Sequence, residues 1–310
     1  MATATVPART TVQRQERSER SRRWGRRAPL LPALVFSIIV TQLPFLLTLW
    51  YSTRSWNLVR PGSDHFVGLA NYVAVFSDSV FRQALVNTLL LTGGCVIISA
   101  LLGLGLAVLL DREFVGRGVV RTLLITPFLI MPVASALLWK YMMLDPVYGF
   151  INFVLAPFGV SPTTDWVTRY PLASVLVALV WQWTPFMMLL LLAGLQAQAK
   201  DALEAAQVDG ATSWKTFVFI TMPHLRRYIE LAVLLGAIYI VNTFDQIYMM
   251  TQGGPGTASA NLPFYIYQRA FLGFDVGQAA AMGVVVVIGT IIVATFALRV
   301  LFASFKVEEE

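Results

Sequence analysis

Charge is scarce in this chain of 310 residues: only 13% are Asp, Glu, Lys or Arg, whereas 57% are hydrophobic. A soluble domain carries about 25% charged residues. The shortfall excludes a soluble domain and indicates that lipid surrounds most of the chain. The two histidines have no Cys or His neighbours, and the single cysteine, Cys95, lies in an apolar run. The sequence therefore predicts neither a metal site nor an intrachain disulfide.

Motifs for catalysis and for nucleotide binding are missing as well. The pattern G-x-x-x-x-G-K-[ST] does not occur, and the glycine-rich stretch 253–256 has neither the Lys nor the following helix of a phosphate-binding loop. No Ser-His-Asp arrangement or metal-ligand cluster supports a reaction. The chain is therefore predicted not to be an enzyme and to hydrolyse no ATP by that route.

Long apolar runs are what the chain has instead, and each is long enough for a membrane helix of about 20 residues. They predict an all-α membrane protein with one transmembrane domain, 29–304, between an Arg-rich, mobile tail, 1–28, and an acidic C-terminal tail, 305–310. The six predicted spans are about 29–51, 84–110, 121–144, 172–196, 228–250 and 277–298.

Basic residues are distributed unevenly between the spans. Segments 1–28, 111–121, 197–227 and 299–310 hold 17 Lys and Arg in 82 positions, whereas the other connections hold 6 in 90. Lys and Arg concentrate on the cytoplasmic side, so both termini and the segment 197–227 are predicted to be cytoplasmic. Eight Arg precede the first span and act as a topology signal. Without an aromatic platform they do not predict nucleic-acid binding.

Polar residues inside the predicted spans are candidates for a solute pathway, because a polar group in lipid is costly and usually faces protein or water. Asn242, Asp245 and Gln246 stand at helical spacing on one predicted face of span five. Pro185 is predicted to kink span four. Contacts between helices are the alternative role for each residue. The candidates are Tyr239, Asn242, Asp245, Gln246, Met249, Trp181, Gln182, Trp183 and Thr184.

The segment Glu204–Arg227, EAAQVDGATSWKTFVFITMPHLRR, differs from the rest of the chain. Residues 201–208 are mostly good helix formers. Gly210 follows where a helix often ends in a left-handed residue. Thr212 or Ser213 is a plausible N-cap for a second helix. The segment predicts two short helices around a break.

The second helix of that segment is amphipathic. Trp214, Phe217 and Val218 stand at i, i+3 and i+4 and form one apolar stripe. Pro223 is expected to end or bend the helix. From the pattern alone, a hairpin at the membrane surface that merely joins two spans explains the segment equally well.

The same segment resembles the EAA loop of binding-protein-dependent ABC importer permeases. Glu204, Ala205, Ala206, Gly210, Ile220 and Pro223 are in register with that signature, and Met222 replaces the usual Leu. Asp209, Gly210 and Ala211 match the DGA of carbohydrate members. We refer to 197–227 as the EAA loop. Further stretches resemble carbohydrate permeases, chiefly the maltose-permease-like and polyol or glycoside types: VGLANY (67–72), ALVNTL (84–89), GFIN (149–152), WQWTPFMMLLLLAGLQ (181–196) and FDQIYMMTQGGPGTAS (244–259).

The resemblance implies a type I ABC importer permease in the bacterial inner membrane, importing a sugar, polyol or small glycoside. It implies a second permease subunit as a heterodimer partner, two copies of an ATPase subunit and a periplasmic solute-binding protein. The chain itself would need no cofactor, because ATP and Mg bind the ATPase.

In that family the first loop helix sits in a groove on the ATPase. Glu204 would meet a basic group there, Ala205 and Ala206 would allow close approach, and Trp214 and Phe217 would anchor the loop to its own permease. The residues assigned to coupling are Glu204, Ala205, Ala206, Asp209, Gly210, Ala211 and Pro223.

A stand-alone secondary transporter is the alternative function. It would need several intramembrane carboxylates or repeated halves, whereas this chain offers mainly Asp245. A membrane-embedded enzyme is a third possibility, and it lacks any catalytic constellation.

Overall fold

The computed structural model describes residues 31–303, with side chains through residue 292 and that of Thr295. The predicted tails 1–28 and 305–310 lie outside the described residues. Helices dominate because lipid offers no hydrogen-bond partners, so every backbone N–H and C=O must bond within the protein. The α-helices are α1 (Leu31–Ser52), α2 (Ala70–Ser77), α3 (Ser79–Asp111), α4 (Arg117–Leu129), α5 (Pro132–Leu137), α6 (Phe150–Leu155), α7 (Trp166–Arg169), α8 (Pro171–Gln196), α9 (Lys200–Val208), α10 (Ser213–Thr216), α11 (Met222–Ile240), α12 (Leu262–Tyr267) and α13 (Val276–Ala303).

Short π and 3₁₀ turns extend several of these helices. The π-helical turns are Leu138–Met143, Phe217–Thr221, Ile247–Thr251 and Gln268–Leu272, and the 3₁₀ turn is Ala156–Phe158. Two short strands, β1 (Arg54–Ser55) and β2 (His65–Phe66), pair antiparallel with Arg54 opposite Phe66.

Four of the six predicted spans are single helices in the structure: α1, α3, α8 and α13. Of these, α1, α3 and α8 are long and apolar enough to cross a membrane, and the described apolar part of α13, Val276–Ile292, is shorter. Helix α8 continues through Pro185 to Gln196. By length and composition, residues 31–303 contain three such helices, or up to four if one bent pair of helices is counted as a single span.

That bent pair occupies the third predicted span, and the expectation of one continuous helix over 121–144 is wrong. Helix α4 ends at Leu129, and the helical segment Pro132–Met143 leaves it at 96°. Ile130 and Met131 between them are extended. Pro132 explains the break, because it lacks an N–H and disfavours a helical conformation in the preceding residue.

The fifth predicted span is also broken, so the expectation of one helix over 228–250 is wrong. Helix α11 ends at Ile240, and the chain becomes helical again only at Asp245. Side-chain amides replace the missing backbone bonds: Asn242 Nδ2 donates to Ile238 O (2.8 Å), and Asn261 Nδ2 donates to Thr243 O. Such irregular backbone is tolerated in a membrane where protein surrounds it. Asn242 and Asp245 therefore do not share one helical face.

The core forms where α3 and α8 pack along each other, which is the most extensive helix contact in the described chain. Gly103 lies at their closest approach, since a Cβ there would be 2.8 Å from both Met187 Cβ and Met188 N. Small residues allow helices in membranes to approach in this way. Cys95 is fully buried in the same core, as expected for a small hydrophobic residue.

Candidate functional site

The first half of the EAA loop folds as the sequence predicts. Helix α9 ends at Val208, and Gly210 has a φ of 77°. The N–H of Ala211 donates to Ala206 O (2.9 Å), and the N–H of Gly210 donates to Gln207 O (3.1 Å). These two bonds form a Schellman motif, which requires a left-handed residue where Gly210 stands. Gly210 therefore sets where α9 ends.

The second half of the loop differs from the prediction in one respect. Thr212 is the N-cap, and its side chain accepts a hydrogen bond from Lys215 N (3.4 Å). Pro223 does not end the helix, because the chain continues through the π turn Phe217–Thr221 into α11. The N–H of Met222 reaches Phe217 O across that wider turn. The π turn precedes Pro223, whose missing N–H would interrupt regular α-helical bonding.

The two faces of α9 have different surroundings. Ala206 is only 7% exposed, because this chain's own residues cover it, whereas Glu204, Ala205 and Asp209 are exposed. A partner protein can therefore reach Glu204 and Ala205 but not Ala206. The close approach expected at Ala205 and Ala206 therefore stays a prediction, and of the two only Ala205 has an exposed side chain.

Trp214 was expected to anchor the EAA loop to the rest of the permease, and in the structure it does not. Its side chain is 72% exposed and stacks on the half-buried ring of Phe217 at 6.0 Å. A cavity of about 520 Å³ lies between the loop and the ends of α3 and α8, where Asp111 and Leu195 line it. The loop therefore covers a loosely filled space and is not packed on a continuous core.

Three of the predicted pathway residues point into the protein. Gln246 Nε2 donates to Gln182 Oε1 (2.7 Å), and Gln182 Nε2 donates to Ile130 O (3.0 Å). Both glutamines are 4% exposed. We call these two hydrogen bonds the amide relay, and it joins the break before Pro132 to the break after Ile240. Thr184 is also buried, and its hydroxyl donates to Val180 O (2.6 Å). In this conformation these three side chains bond within the protein, and their assignment to a solute pathway stays a prediction.

Aromatic rings form the accessible part of the predicted pathway. Trp183 stacks on the exposed ring of Tyr239 (5.8 Å, 21°) and contacts Phe128 (5.7 Å) and Phe186 (5.7 Å) by their edges. Asn242 is exposed. Phe128 and Phe186 were not among the predicted residues, although each directly follows a proline in the sequence. Trp181 instead packs by its edge against the buried Trp139 (5.9 Å).

Asp245 and Met249 are half-buried. The Asp245 carboxylate makes no hydrogen bond or ion pair with any residue that the structure describes. Within the same residues, no three His, Cys, Asp or Glu side chains are placed to hold a metal ion. The Asp245 carboxylate can therefore still accept hydrogen bonds from a group outside the described residues.

A buried asparagine joins two stretches that the sequence singled out, ALVNTL and TQGGPGTAS. Asn87 is 1% exposed, and its Nδ2 lies within hydrogen-bond distance of Thr257 O (3.3 Å), Ala258 O (3.1 Å) and Ala260 O (2.9 Å). The hydroxyl of Thr88 accepts from Leu262 N (2.9 Å). Helix α3 thus holds the loop 251–261 in place. Sequence reasoning missed this contact because the two stretches are far apart in the chain.

Comparison with known proteins adds independent findings. The family model described as "Binding-protein-dependent transport system inner membrane component" matches residues 96–306, which include the EAA loop. The "Probable ABC transporter permease protein y4oQ" of Sinorhizobium fredii is 38% identical over 259 residues, 83% of this chain and 84% of that protein. The "Trehalose transport system permease protein SugA" of Mycobacterium tuberculosis is 36% identical over 273 residues, 88% of this chain and 87% of that protein.

A solved structure shares the fold. It is described as the crystal structure of a bacterial ABC transporter involved in the import of the acidic polysaccharide alginate. The TM-score is 0.79 at 23% identity, over 93% of this chain and 99% of that chain. At this identity the likeness concerns the fold alone.

Proposed function

Because the chain belongs to the family of binding-protein-dependent transport system inner membrane components, we propose that it is the permease subunit of an ATP-driven importer for a sugar, polyol or small glycoside. It is a multi-pass protein of the inner membrane and not an enzyme, and a partner subunit hydrolyses the ATP. The observation that carries the proposal is the match over residues 96–306, since it includes both the EAA loop and the broken helices.

The EAA loop is the proposed contact with the ATPase. Glu204 and Ala205 are exposed, and the Schellman turn at Gly210 gives α9 a defined end. When two ATPase subunits close on ATP, they would carry α9 with them. The cavity beneath the loop leaves room for such a movement. The continuous path from α10 through the π turn into α11 would transmit it to the fifth span.

The proposed topology has six spans with both termini in the cytoplasm, and 1–28 and 305–310 as tails. It rests on the distribution of Lys and Arg. In this arrangement the bent pair α4 and α5 forms the third span, and α11 with the turn Ile247–Thr251 forms the fifth.

The solute pathway is proposed to run beside the fifth span. Tyr239 and Trp183 offer flat rings for the C–H faces of a sugar, while Asn242 and Asp245 offer hydrogen-bonding groups for its hydroxyls. Trehalose is the solute in the name of the relative SugA. A neutral disaccharide is therefore the first solute to test.

The alternative of a stand-alone secondary transporter is less well supported. Its coupling would need a set of intramembrane carboxylates or a cation site. Asp245 has no carboxylate partner in the described part of the chain. The relatives named above carry permease names.

Co-purification and uptake test the proposed function. The tagged chain should retain a second permease and an ATPase, and vesicles containing the complex should take up a neutral sugar only with ATP and the binding protein. Glu204→Ala should lower uptake at least tenfold while the complex still assembles, because an exposed ion pair adds only about 0–1 kcal/mol to stability.

Glu113→Ala is the matched control, since Glu113 is also exposed on the predicted cytoplasmic side but lies outside the EAA loop. Uptake by a preparation free of any ATPase would contradict the proposal. Undiminished uptake by Glu204→Ala would contradict the role of the loop.

A further inference from the structure

Three segments that are distant in sequence line an open cavity of about 380 Å³ at the predicted outer end of the protein. They are the π turn Leu138–Met143 with residues 144–146, the helix α7 with its N-cap Asp165, and the end of the π turn Ile247–Thr251 with residues 254–255. The volume lies in the range of small-molecule sites, about 300–1,000 Å³. We call this the outer cavity, and its polar walls are formed by Lys140, Tyr141, Asp145, Asp165, Thr168 and Thr251.

A buried asparagine fixes the distance between the two acidic walls of the outer cavity. Asn152 is 2% exposed, and its Nδ2 lies 3.2 Å from Asp145 O and 3.0 Å from Thr164 O, next to Asp165. Trp166 Nε1 donates to Asn152 Oδ1 (2.6 Å), which sets the orientation of that amide. Because a buried amide with all its bonds made resists movement, both carboxylates are held in place before any ligand arrives.

The third wall is held in a comparable way. Ser259 is fully buried, and its Oγ lies 2.8 Å from Thr251 Oγ1 and 2.9 Å from Gly254 O. Asn87 holds the backbone on the far side of this loop. Lys140 Nζ donates to Met249 O (3.1 Å), so the first wall is tied directly to the third. All three walls are therefore built from fixed backbone.

The carboxylates of the outer cavity have unused hydrogen-bonding capacity. Asp145 Oδ1 accepts from the backbone N–H groups of Val147 (2.8 Å) and Tyr148 (2.9 Å), and Asp165 Oδ1 accepts from Thr168 N (3.0 Å). Neither Oδ2 has a hydrogen-bond partner among the described residues. The two backbone bonds, that from Tyr148 first, hold the pKa of the Asp145 carboxyl below its ordinary value, so it remains an acceptor at neutral pH.

The charge of the lining restricts the kind of ligand. The lining holds one ammonium group, Lys140, and two carboxylates, Asp145 and Asp165, so the cavity has a net negative charge and disfavours anions. Sugar hydroxyls both donate and accept, and neighbouring hydroxyls can therefore pair with a carboxylate oxygen and an ammonium N–H at once. Leu144, Pro146, Met250 and Pro255 supply an apolar surface for C–H groups.

We propose that the outer cavity is a separate binding site for an uncharged polyhydroxylated solute. The solute occupies it after leaving the binding protein and before passing along the turn Ile247–Thr251 to Asp245. This inference rests on the proposed import function. The site selects neutral over anionic solutes, independently of the selection made by the binding protein.

Protection of an introduced cysteine tests the site. Thr168→Cys is placed in the membrane complex with its partner permease and ATPase, and a membrane-impermeant maleimide labels it from outside. Cys95 is fully buried and provides no competing thiol. Millimolar trehalose, maltose or sorbitol should slow the labelling, and glucuronate should not.

A pair of conservative substitutions then tests the carboxylates. Asp145→Asn with Asp165→Asn keeps both Oδ1 acceptors, because Asn caps a helix as Asp does, and replaces each free Oδ2 with a donor. The sugar concentration that halves the labelling rate should rise about tenfold. Asp275→Asn is the matched control: its Oδ1 caps Gln278 N (3.0 Å) outside the cavity, and it should change nothing.

The outcomes separate this inference from the proposed function. Uptake of a neutral sugar without any protection of the cysteine overturns the site and leaves the import function standing. If the binding protein slows the maleimide labelling in the absence of sugar, the cavity is a contact surface for that protein. This result also overturns the site. If no neutral sugar is taken up and none protects, the import function and the site fall together.

Discussion

The amide relay makes a quantitative prediction about the two broken helices. Gln246→Met removes one donor and leaves one buried atom, Gln182 Oε1, without a partner. Gln182→Met leaves two groups unpaired, Ile130 O and Gln246 Nε2. Met has nearly the length of Gln and no amide, so the substitution changes hydrogen bonding more than packing.

The magnitudes follow from the number of orphaned groups. Each unpaired buried group costs about 1–3 kcal/mol, and hydrogen bonds between membrane helices average about 0.6 kcal/mol, so we take about 1 kcal/mol for each group. Gln246→Met should then destabilise the chain by about 1 kcal/mol and Gln182→Met by about 2 kcal/mol. The double variant leaves only Ile130 O unpaired, so it should be less destabilised than the sum of the single variants by about 2 kcal/mol.

Unfolding of the chain in mixed micelles, titrated with SDS and followed by tryptophan fluorescence, measures these differences. Gln42→Met is the control, because Gln42 is exposed and its side chain bonds, among the described residues, only to the neighbouring Thr41. Additive costs in the double variant would refute the relay. So would a larger cost for Gln246→Met than for Gln182→Met, because the direction of the relay would then be wrong.

Three further predictions concern other parts of the chain. Gly103→Val should destabilise the chain by about 1–3 kcal/mol, because its Cβ would lie 2.8 Å from Met188 N. Gly105→Val is the control, since a Cβ at that position has no atom within 4 Å. The melting temperatures of the two variants measure the difference. Asp245→Ala should lower sugar uptake at least tenfold while the complex still assembles, and normal uptake would remove Asp245 from the pathway. Burial raises the pKa of Asp78, but hydrogen bonds from Tyr265, from Val80 N and from Arg269 outweigh it and lower the pKa below 3.8. The Asp78 carboxylate therefore stabilises the fold fully above pH 3.8 and loses its contribution as the pH falls through the lower folded value; acid titration of the melting temperature should show this loss in the wild type and not in Asp78→Asn.

Local patterns in the sequence predicted the parts of the fold that local physics determines. The helices α1, α3, α8 and α13 follow from apolar runs, since lipid forces such runs to pair their backbone groups internally. The turn at Gly210 and the cap at Thr212 follow from chemistry within a few residues.

Local patterns did not show where distant residues supply the partners of polar groups. Spacing placed Asn242 and Asp245 on one face, but the helix is interrupted between them, where the side chain of Asn261 donates to Thr243 O. Likewise, Gln182 and Gln246 are polar as a pathway requires, yet they are occupied by each other. Composition does not indicate whether a polar side chain in a membrane faces a solute or another helix.

The sequence alone determined that most of this chain is surrounded by lipid, where the four unbroken spans lie and which segment resembles the EAA loop. Each of these depends on residues within about one span of each other. Only the tertiary structure decided which polar groups are free. The partners that occupy them lie 64 residues apart in the amide relay and 173 apart between Asn87 and Ala260. In a low-dielectric interior a polar group bonds to whichever partner the packing brings near, and packing depends on the whole chain.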